Sequence, residues 1–263
     1  MSSALVADAR PRVLLQARPR EARANWSMWE RPAADCEPDK SSPKAWTMIV
    51  ALCRGAMDGW FSITRAVARK TGRRWRQRRY EMFCRLCDVR PSESIIDLGS
   101  GGGGALALFN TTNPITAVDL QQWEAEQRPN VTFVRGDARS LPYPDNSFDI
   151  AFSNSVIEHL DVADQERFAR EVRRISNRYF VQTPNKWFPI EPHYQLPLFQ
   201  FVPDRAKFWL NERWRLGWQA KGSRETIRLL GAHDLRRLFP DAEIHRERFL
   251  GFTKSLMAVR SLS

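Results

Sequence analysis

Asp97-Leu98-Gly99-Ser100-Gly101-Gly102-Gly103 closes an apolar run, Ser94-Ile95-Ile96, with a carboxylate and passes straight into a turn built almost wholly of glycine. The β-branched pair predicts a short buried strand, and the glycines let the backbone bend and approach a ligand with no Cβ in the way. Residues 105–110 read as the following helix, whose first backbone N–H groups face whatever the turn holds. Strand, glycine turn and helix in that order predict a nucleotide-like ligand.

Glycine loops of this kind serve more than one ligand. Gly99-x-Gly101-x-x-Gly104, with Asp119 about twenty residues beyond, also satisfies the dinucleotide fingerprint. Asp97 speaks against that reading, because a carboxylate two residues before the first glycine repels a pyrophosphate. It suits S-adenosylmethionine, which presents an ammonium group and a sulfonium. A P-loop is excluded, since Ala105 follows Gly104 where a Lys-Ser/Thr pair is required.

Further strands carry further acids. Ile115-Thr116-Ala117-Val118 ends in Asp119, where a carboxylate can accept from both hydroxyls of a ribose. Val131-Thr132-Phe133-Val134 leads to Gly136-Asp137-Ala138, placing a third acid where an adenine amino group can donate. A fourth strand, Phe148-Asp149-Ile150-Ala151-Phe152, follows the turn-rich Leu141-Pro142-Tyr143-Pro144-Asp145-Asn146 and runs into Ser153-Asn154-Ser155-Val156-Ile157-Glu158-His159-Leu160. Any one acid reads as a solvated strand end; the ordered set does not.

On these residues, 94–184 resemble a class I S-adenosylmethionine-dependent methyltransferase of the type 11 subgroup, which includes quinone-biosynthesis enzymes. The resemblance implies that Asp97, Gly99, Ser100 and Gly101 hold the methionine end of the cofactor. It implies that Asp119, with Leu120 beside it, takes the ribose, that Asp137 and the Ala138 N–H take the adenine, and that Ser153 and Asn154 border the methyl group. The chain is thus read as α/β, with a Rossmann-like, mainly parallel sheet, helices on both faces, an antiparallel C-terminal hairpin and an N-terminal helical extension. Helices are expected at 163–175 and 233–239, a fifth strand at 178–183, and the closing pair at 242–249 and 253–259 around Gly251.

Glu158 and His159 offer two metal ligands on one turn, too few for a dedicated site unless others arrive from elsewhere, and no metal is expected. Their plainer role is to orient the local backbone. Transfer from a sulfonium is an in-line displacement whose leaving thioether needs no proton, so the protein mainly aligns the reactants. A base is needed only where the acceptor must lose a proton; His193, within Pro192-His193-Tyr194, is the first candidate and His159 the second.

The acceptor should lie against the segment after the fifth strand, because the core motifs are taken by the cofactor. Residues 186–222 hold Trp187, Phe199, Phe201, Phe208, Trp209, Trp214 and Trp218, which suit an apolar or aromatic small-molecule or lipid-like acceptor. The opposing reading is a helical lid whose aromatics pack on the sheet.

Chain-wide features bound the rest. With 263 residues and 43% apolar content the chain can bury one α/β core with an extension. Cys36, Cys53, Cys84 and Cys87 are few and irregularly spaced, fitting a reducing, cytoplasmic compartment better than a disulfide framework. No segment reaches the roughly twenty apolar residues of a spanning helix. Residues 1–44 read as a disordered tail, 45–90 as two helices bearing a basic patch, and 91–263 as the catalytic domain with its substrate-side insertion at 186–222.

The net charge of +11 is concentrated: between Ser62 and Tyr80 stand Arg65, Arg69, Lys70, Arg73, Arg74, Arg76, Arg78 and Arg79, and no acid. Three readings stay open. One is an anionic membrane touched peripherally through residues 46–80, where an apolar stretch adjoins the basic one. Another is nucleic acid, with Trp75 and Tyr80 to stack on bases. The third is a solvated helix face. The alternatives to a small-molecule or lipid enzyme are an RNA- or protein-directed methyltransferase using the Arg-rich helix, and a non-catalytic cofactor-binding protein.

Overall fold

The structure, a computed structural model, describes residues 44–101, 111–121 and 128–261. The tail expected over residues 1–44 lies, but for its last residue, outside them, as does the helix expected at 105–110. Residues 42–263 form one compact unit. Its centre is a seven-stranded sheet of β1 (Ile95–Leu98), β2 (Ile115–Asp119), β3 (Val131–Arg135), β4 (Phe148–Asn154), β5 (Ser176–Pro184), β8 (Glu243–Phe249) and β9 (Phe252–Arg260). The strand order is β3-β2-β1-β4-β5-β9-β8. The first five are mutually parallel, whereas β9 runs antiparallel to both β5 and β8.

Alternation along the strands builds two cores. Ile95, Ile150, Phe152, Phe180, Met257 and Val259 face one side of the sheet, where they meet Phe83 and Cys87 of α1 (Lys44–Leu86). Ile96, Leu98, Ala151, Val181, Leu256 and Ala258 face the other side. There α2 (Val162–Ile175) brings Phe168, Val172 and Ile175, spaced four and three residues apart on one stripe, and α4 (Ala232–Leu238) brings Leu235 and Leu238. Asp161 caps α2 by accepting from the Asp164 N–H at 2.8 Å.

The two helices expected before the sheet are one. α1 runs 43 residues without interruption, through Gly59 and Gly72. A glycine inside a helix costs only about 1 kcal/mol, which the burial of Phe83 against Phe152 and Phe180 readily outweighs. Asp88, at φ +45, ends the helix, and the Val89 N–H reaches back to the Cys84 carbonyl at 3.0 Å in a Schellman-type closure. Among the described residues no helix is long and apolar enough to cross a membrane. Residues 46–51 belong to α1, but their side chains lie outside the described residues.

Between β5 and α4 the insertion forms a satellite of its own. A two-residue hairpin of β6 (Ile190–Glu191) and β7 (Leu196–Pro197) and the helix α3 (Asp204–Arg213) surround Tyr194, Phe199, Leu216 and Ile227, and Phe61 of α1 completes this small core. The Trp60 indole N–H donates to the Gln195 carbonyl at 2.7 Å, tying helix to insertion.

Candidate functional site

All five parallel strands end on one edge of the sheet, and the expected ligand residues gather there. Gly99 and Gly101 adopt φ +72 and +62, and a Cβ on Gly99 would stand 2.4 Å from a methyl of Val156. The Gly99 and Ser100 N–H groups donate to the Val118 carbonyl at 2.8 and 3.1 Å, holding the turn against β2. Asp97, two residues before Gly99, is buried in β1. Asp119 accepts from the Gly101 N–H at 2.9 Å through Oδ2 and from the Gln121 N–H at 3.0 Å through Oδ1. One acid thus links the first turn to the second. Each of its oxygens keeps a further lone pair for a ligand hydroxyl. Leu120 is 59% exposed beside it, an apolar side chain available to cover a flat ring.

Asp137 and Ser153 differ from the simplest expectation. The Asp137 carboxylate is clasped by Arg139, whose Nη2 lies 2.6 Å away, and Arg139 also bonds Asp164. Its pKa is lowered, first by that hydrogen bond and against the opposing effect of burial. A ligand amino group therefore meets a carboxylate that is firmly ionised and held in place. Ala138 packs on the core beneath. Ser153 is buried and its hydroxyl donates to the Leu98 carbonyl at 3.1 Å, so its side chain braces β1 against β4.

The two histidines meet although 34 positions separate them. His159 ends a 3₁₀ turn, Ile157–His159, and His193 follows β6; their rings stand edge to face with centroids 5.0 Å apart. His159 Nδ1 lies 2.6 Å from Glu225 Oε1, and His193 Nδ1 lies 2.8 Å from Glu191 Oε1. Burial opposes charge on His159, but the Glu225 hydrogen bond and the Glu158 and Glu191 carboxylates together outweigh it, and its pKa is raised. Glu158 is fully buried and accepts at Oε2 from the Thr183 hydroxyl at 3.0 Å. Ligand atoms of Glu158, His159 and His193 all lie within 4.8 Å of one another, so the third donor that the Glu-His turn lacks arrives from the insertion.

Unspent polar groups mark this edge. Glu158 Oε1 and Gln182 Nε2, both buried, have no hydrogen-bond partner. Ser155 takes φ +58, a left-handed conformation that a serine adopts at a cost. Its hydroxyl donates to Gln182 Oε1 at 3.0 Å. Buried polar atoms without partners are uncommon, and these two, of Glu158 and Gln182, lie in the turn after β4 and near the end of β5.

Arg79, one of the basic run between Ser62 and Tyr80, turns to the ligand edge of the sheet. It donates to Asn154 Oδ1 at 3.1 Å, Glu247 Oε2 at 3.1 Å and Ser255 Oγ at 3.2 Å. Nothing in the run of arginines distinguishes it; only the helix's register on the sheet does. Arg74, Arg76 and Arg78 are exposed, while the side chains of Arg69, Lys70 and Arg73 lie outside the described residues. The insertion's aromatics divide as well. Phe199 and Trp214 join the satellite core, whereas Trp187, Phe201 and Trp209 are at least half exposed. A cavity of about 250 Å³ beside Glu191 is polar, with Lys186, Asp204, Lys207 and Arg228 on its walls. Cys87, one of the Cys84-x-x-Cys87 pair, is a core residue whose thiol burial pushes up to about 12, so it stays neutral.

A protein-family model described as "Methyltransferase domain" matches residues 96–178. The chain is 31% identical over 120 residues to a probable S-adenosylmethionine-dependent methyltransferase of Mycobacterium tuberculosis, a match covering 43% of each protein. It is 30% identical over 100 residues to a glycine/sarcosine/dimethylglycine N-methyltransferase of Actinopolyspora halophila, covering 34% of this chain and 17% of that one. The match thus spans less than half the length of these curated relatives. Among solved structures it is similar to the 1,6-didemethyltoxoflavin-N1-methyltransferase of Burkholderia thailandensis crystallised with S-adenosylhomocysteine, at 16% identity and TM-score 0.48 over 87% of this chain and 94% of that one.

Proposed function

Residues 96–178 are a class I S-adenosylmethionine-dependent methyltransferase domain, with S-adenosylmethionine as its cofactor, and from that premise we propose that the chain methylates an apolar or aromatic small-molecule or lipid-like acceptor. Asp97 and the Gly99–Gly101 turn receive the methionine end, Asp119 the ribose, and Asp137 with the Ala138 N–H the adenine, which Leu120 covers. The acceptor enters from the insertion. Its nucleophilic atom attacks the methyl carbon in line with the C–S bond, and the bond's electron pair returns to sulfur, which leaves as a neutral thioether. Where that atom carries a proton, His193 takes it, with His159 alongside; the Glu191 and Glu225 carboxylates behind them stabilise the imidazolium that forms.

The observation that carries this reading is the meeting of His159 and His193, each backed by a glutamate, at the carboxyl end of the strands whose acids suit the cofactor. The exposed rings of Trp187 and Phe201, 5.8 Å apart on the same insertion, support an apolar acceptor. Purified protein given labelled S-adenosylmethionine and separate lipid, quinone and RNA fractions should move label into an organic-soluble product. Label confined to RNA or polypeptide would favour the alternative in which Arg74, Arg76 and Arg78 hold an anionic macromolecule. Partner binding would then fall steeply with salt. Tight cofactor binding with no labelled product from any fraction would favour a scaffold.

A further inference from the structure

Phe249, Leu250 and Phe252 crown the hairpin joining β8 to β9, with 40%, 81% and 56% of their surfaces exposed. Phe249 pairs with Phe252, leaving Leu250-Gly251 as a two-residue turn with φ +48 and +82. Turns of that geometry favour Asn-Gly or Asp-Gly, because both positions are left-handed. Leucine there incurs backbone strain and leaves its side chain in water. Leu198 repeats the combination on the insertion, 60% exposed at φ +53, one residue beyond β7.

Topology sets these apolar points on the ligand edge of the sheet. Pro184, the last residue of β5, lies opposite Ser255 of β9. Asn185 then donates from its backbone to the Lys254 carbonyl and from Nδ2 to the Thr253 carbonyl. The insertion that carries Trp187 and the hairpin that carries Leu250 therefore diverge from one point, at the carboxyl end of the parallel strands.

Cations surround the hairpin. Trp75 of α1 meets Phe249 edge-on at 5.7 Å, and Lys254 Nζ stands 3.9 Å over the Trp75 ring. Arg248 on the hairpin and Arg74 and Arg78 on α1 are exposed. The one acid between Arg246 and Lys254 is Glu247, which is buried and bonded to Arg79. Apolar tips rimmed by cations complement a bilayer with anionic headgroups. A nucleic acid would engage the arginines and Trp75 but would leave Leu250 in water.

We propose that the Phe249–Phe252 hairpin tip, flanked by the basic face of α1, seats the protein on an anionic lipid surface with its acceptor entrance facing the bilayer. The consequence for the acceptor rests on the lipid-like reading above; the docking itself does not. It also shifts the apolar part of the membrane contact from residues 46–80 to the hairpin, keeping the helix as the cationic flank.

Flotation of the full chain with phosphatidylcholine vesicles, with and without about one third phosphatidylserine, tests this directly. The chain should float with the anionic vesicles and stay behind with the neutral ones. The double variant Leu250→Asp, Phe252→Ser should lose at least about tenfold of the bound fraction while its cofactor affinity and thermal midpoint match the parent. Charge reversal at Arg74 and Arg78 should weaken flotation similarly. Equal flotation of parent and double variant, no flotation of the parent, or capture by RNA oligonucleotides without flotation would each overturn the proposal. Flotation needs no turnover, so a chain that floats but labels no lipid would retain the docking and remove the lipid-like acceptor.

Discussion

At Gly99 the turn depends on one missing atom. A Cβ there would stand 2.4 Å from Val156 Cγ2 while the backbone stays at φ +72. Gly99→Ala should cost about 1–3 kcal/mol of stability and weaken cofactor binding together, read by urea denaturation and calorimetry on one preparation. His193 is the converse case under the proposed mechanism, where its loss is expected to reach the chemistry more than the fold. His193→Ala should lower kcat by about 10²-fold or more with S-adenosylmethionine affinity little changed. Glu191→Gln should do so less severely, since it leaves the imidazole and removes its charged support, together with one of the two acceptor oxygens that serve His193 and the Tyr194 N–H. Activity in His193→Ala equal to the parent's would transfer the proton to His159 or to the acceptor's own chemistry.

Elements show how the same residue type can serve packing or contact. Phe199 is 7% exposed within the satellite core with Tyr194, at a centroid distance of 4.8 Å, and Phe199→Ala should destabilise by about 3–5 kcal/mol. Phe201, two residues on, is 52% exposed. Its truncation should change stability by no more than about 0.5 kcal/mol yet raise acceptor KM, cofactor affinity holding constant. A folded, fully active Phe201→Ala enzyme would return the insertion's outer aromatics to plain surface. Along the sequence these two phenylalanines are indistinguishable. The basic run behaves alike: Arg78 and Arg79 are neighbours, but one faces water and the other bonds Asn154 and Glu247. Helical geometry turns adjacent side chains about 100° apart, so what α1 packs against decides their roles.

Over the whole molecule, carboxylates hold neighbouring segments together and make stability depend on acid. Asp137 is held down chiefly by Arg139 and Asp149 by the backbone N–H of Ser94. Glu171 is lowered too, where bonds from Arg174 and the Leu141 N–H together outweigh burial. Each folded-state value lies below its ordinary 3.8 or 4.5, so the unfolded chain binds more protons in acid. Their contribution is complete above the ordinary values and fades as pH falls through the depressed ones. The urea midpoint should gain as pH falls from about 7 toward 6, because His159 with its raised pKa binds a proton before the unfolded chain does, and drop below about 4, and Arg139→Ala should flatten part of that drop. An unchanged slope in Arg139→Ala would remove Asp137 from the account.

Local patterns in the chain determined the strand-and-turn grammar by themselves: the apolar runs, the acids at their ends, the glycine turn at Gly99 and Gly101, and the antiparallel closure around Gly251. These depend on residues close together in the chain, whose steric and hydrogen-bonding preferences hold wherever they are placed. Tertiary structure alone decided that α1 is unbroken, that Arg79 turns to the ligand edge, that His159 meets Glu225 and His193, and that Leu250 is left in water. Those outcomes depend on side chains up to 176 positions apart being brought into contact, and nothing in the local pattern specifies which distant partner a side chain will meet.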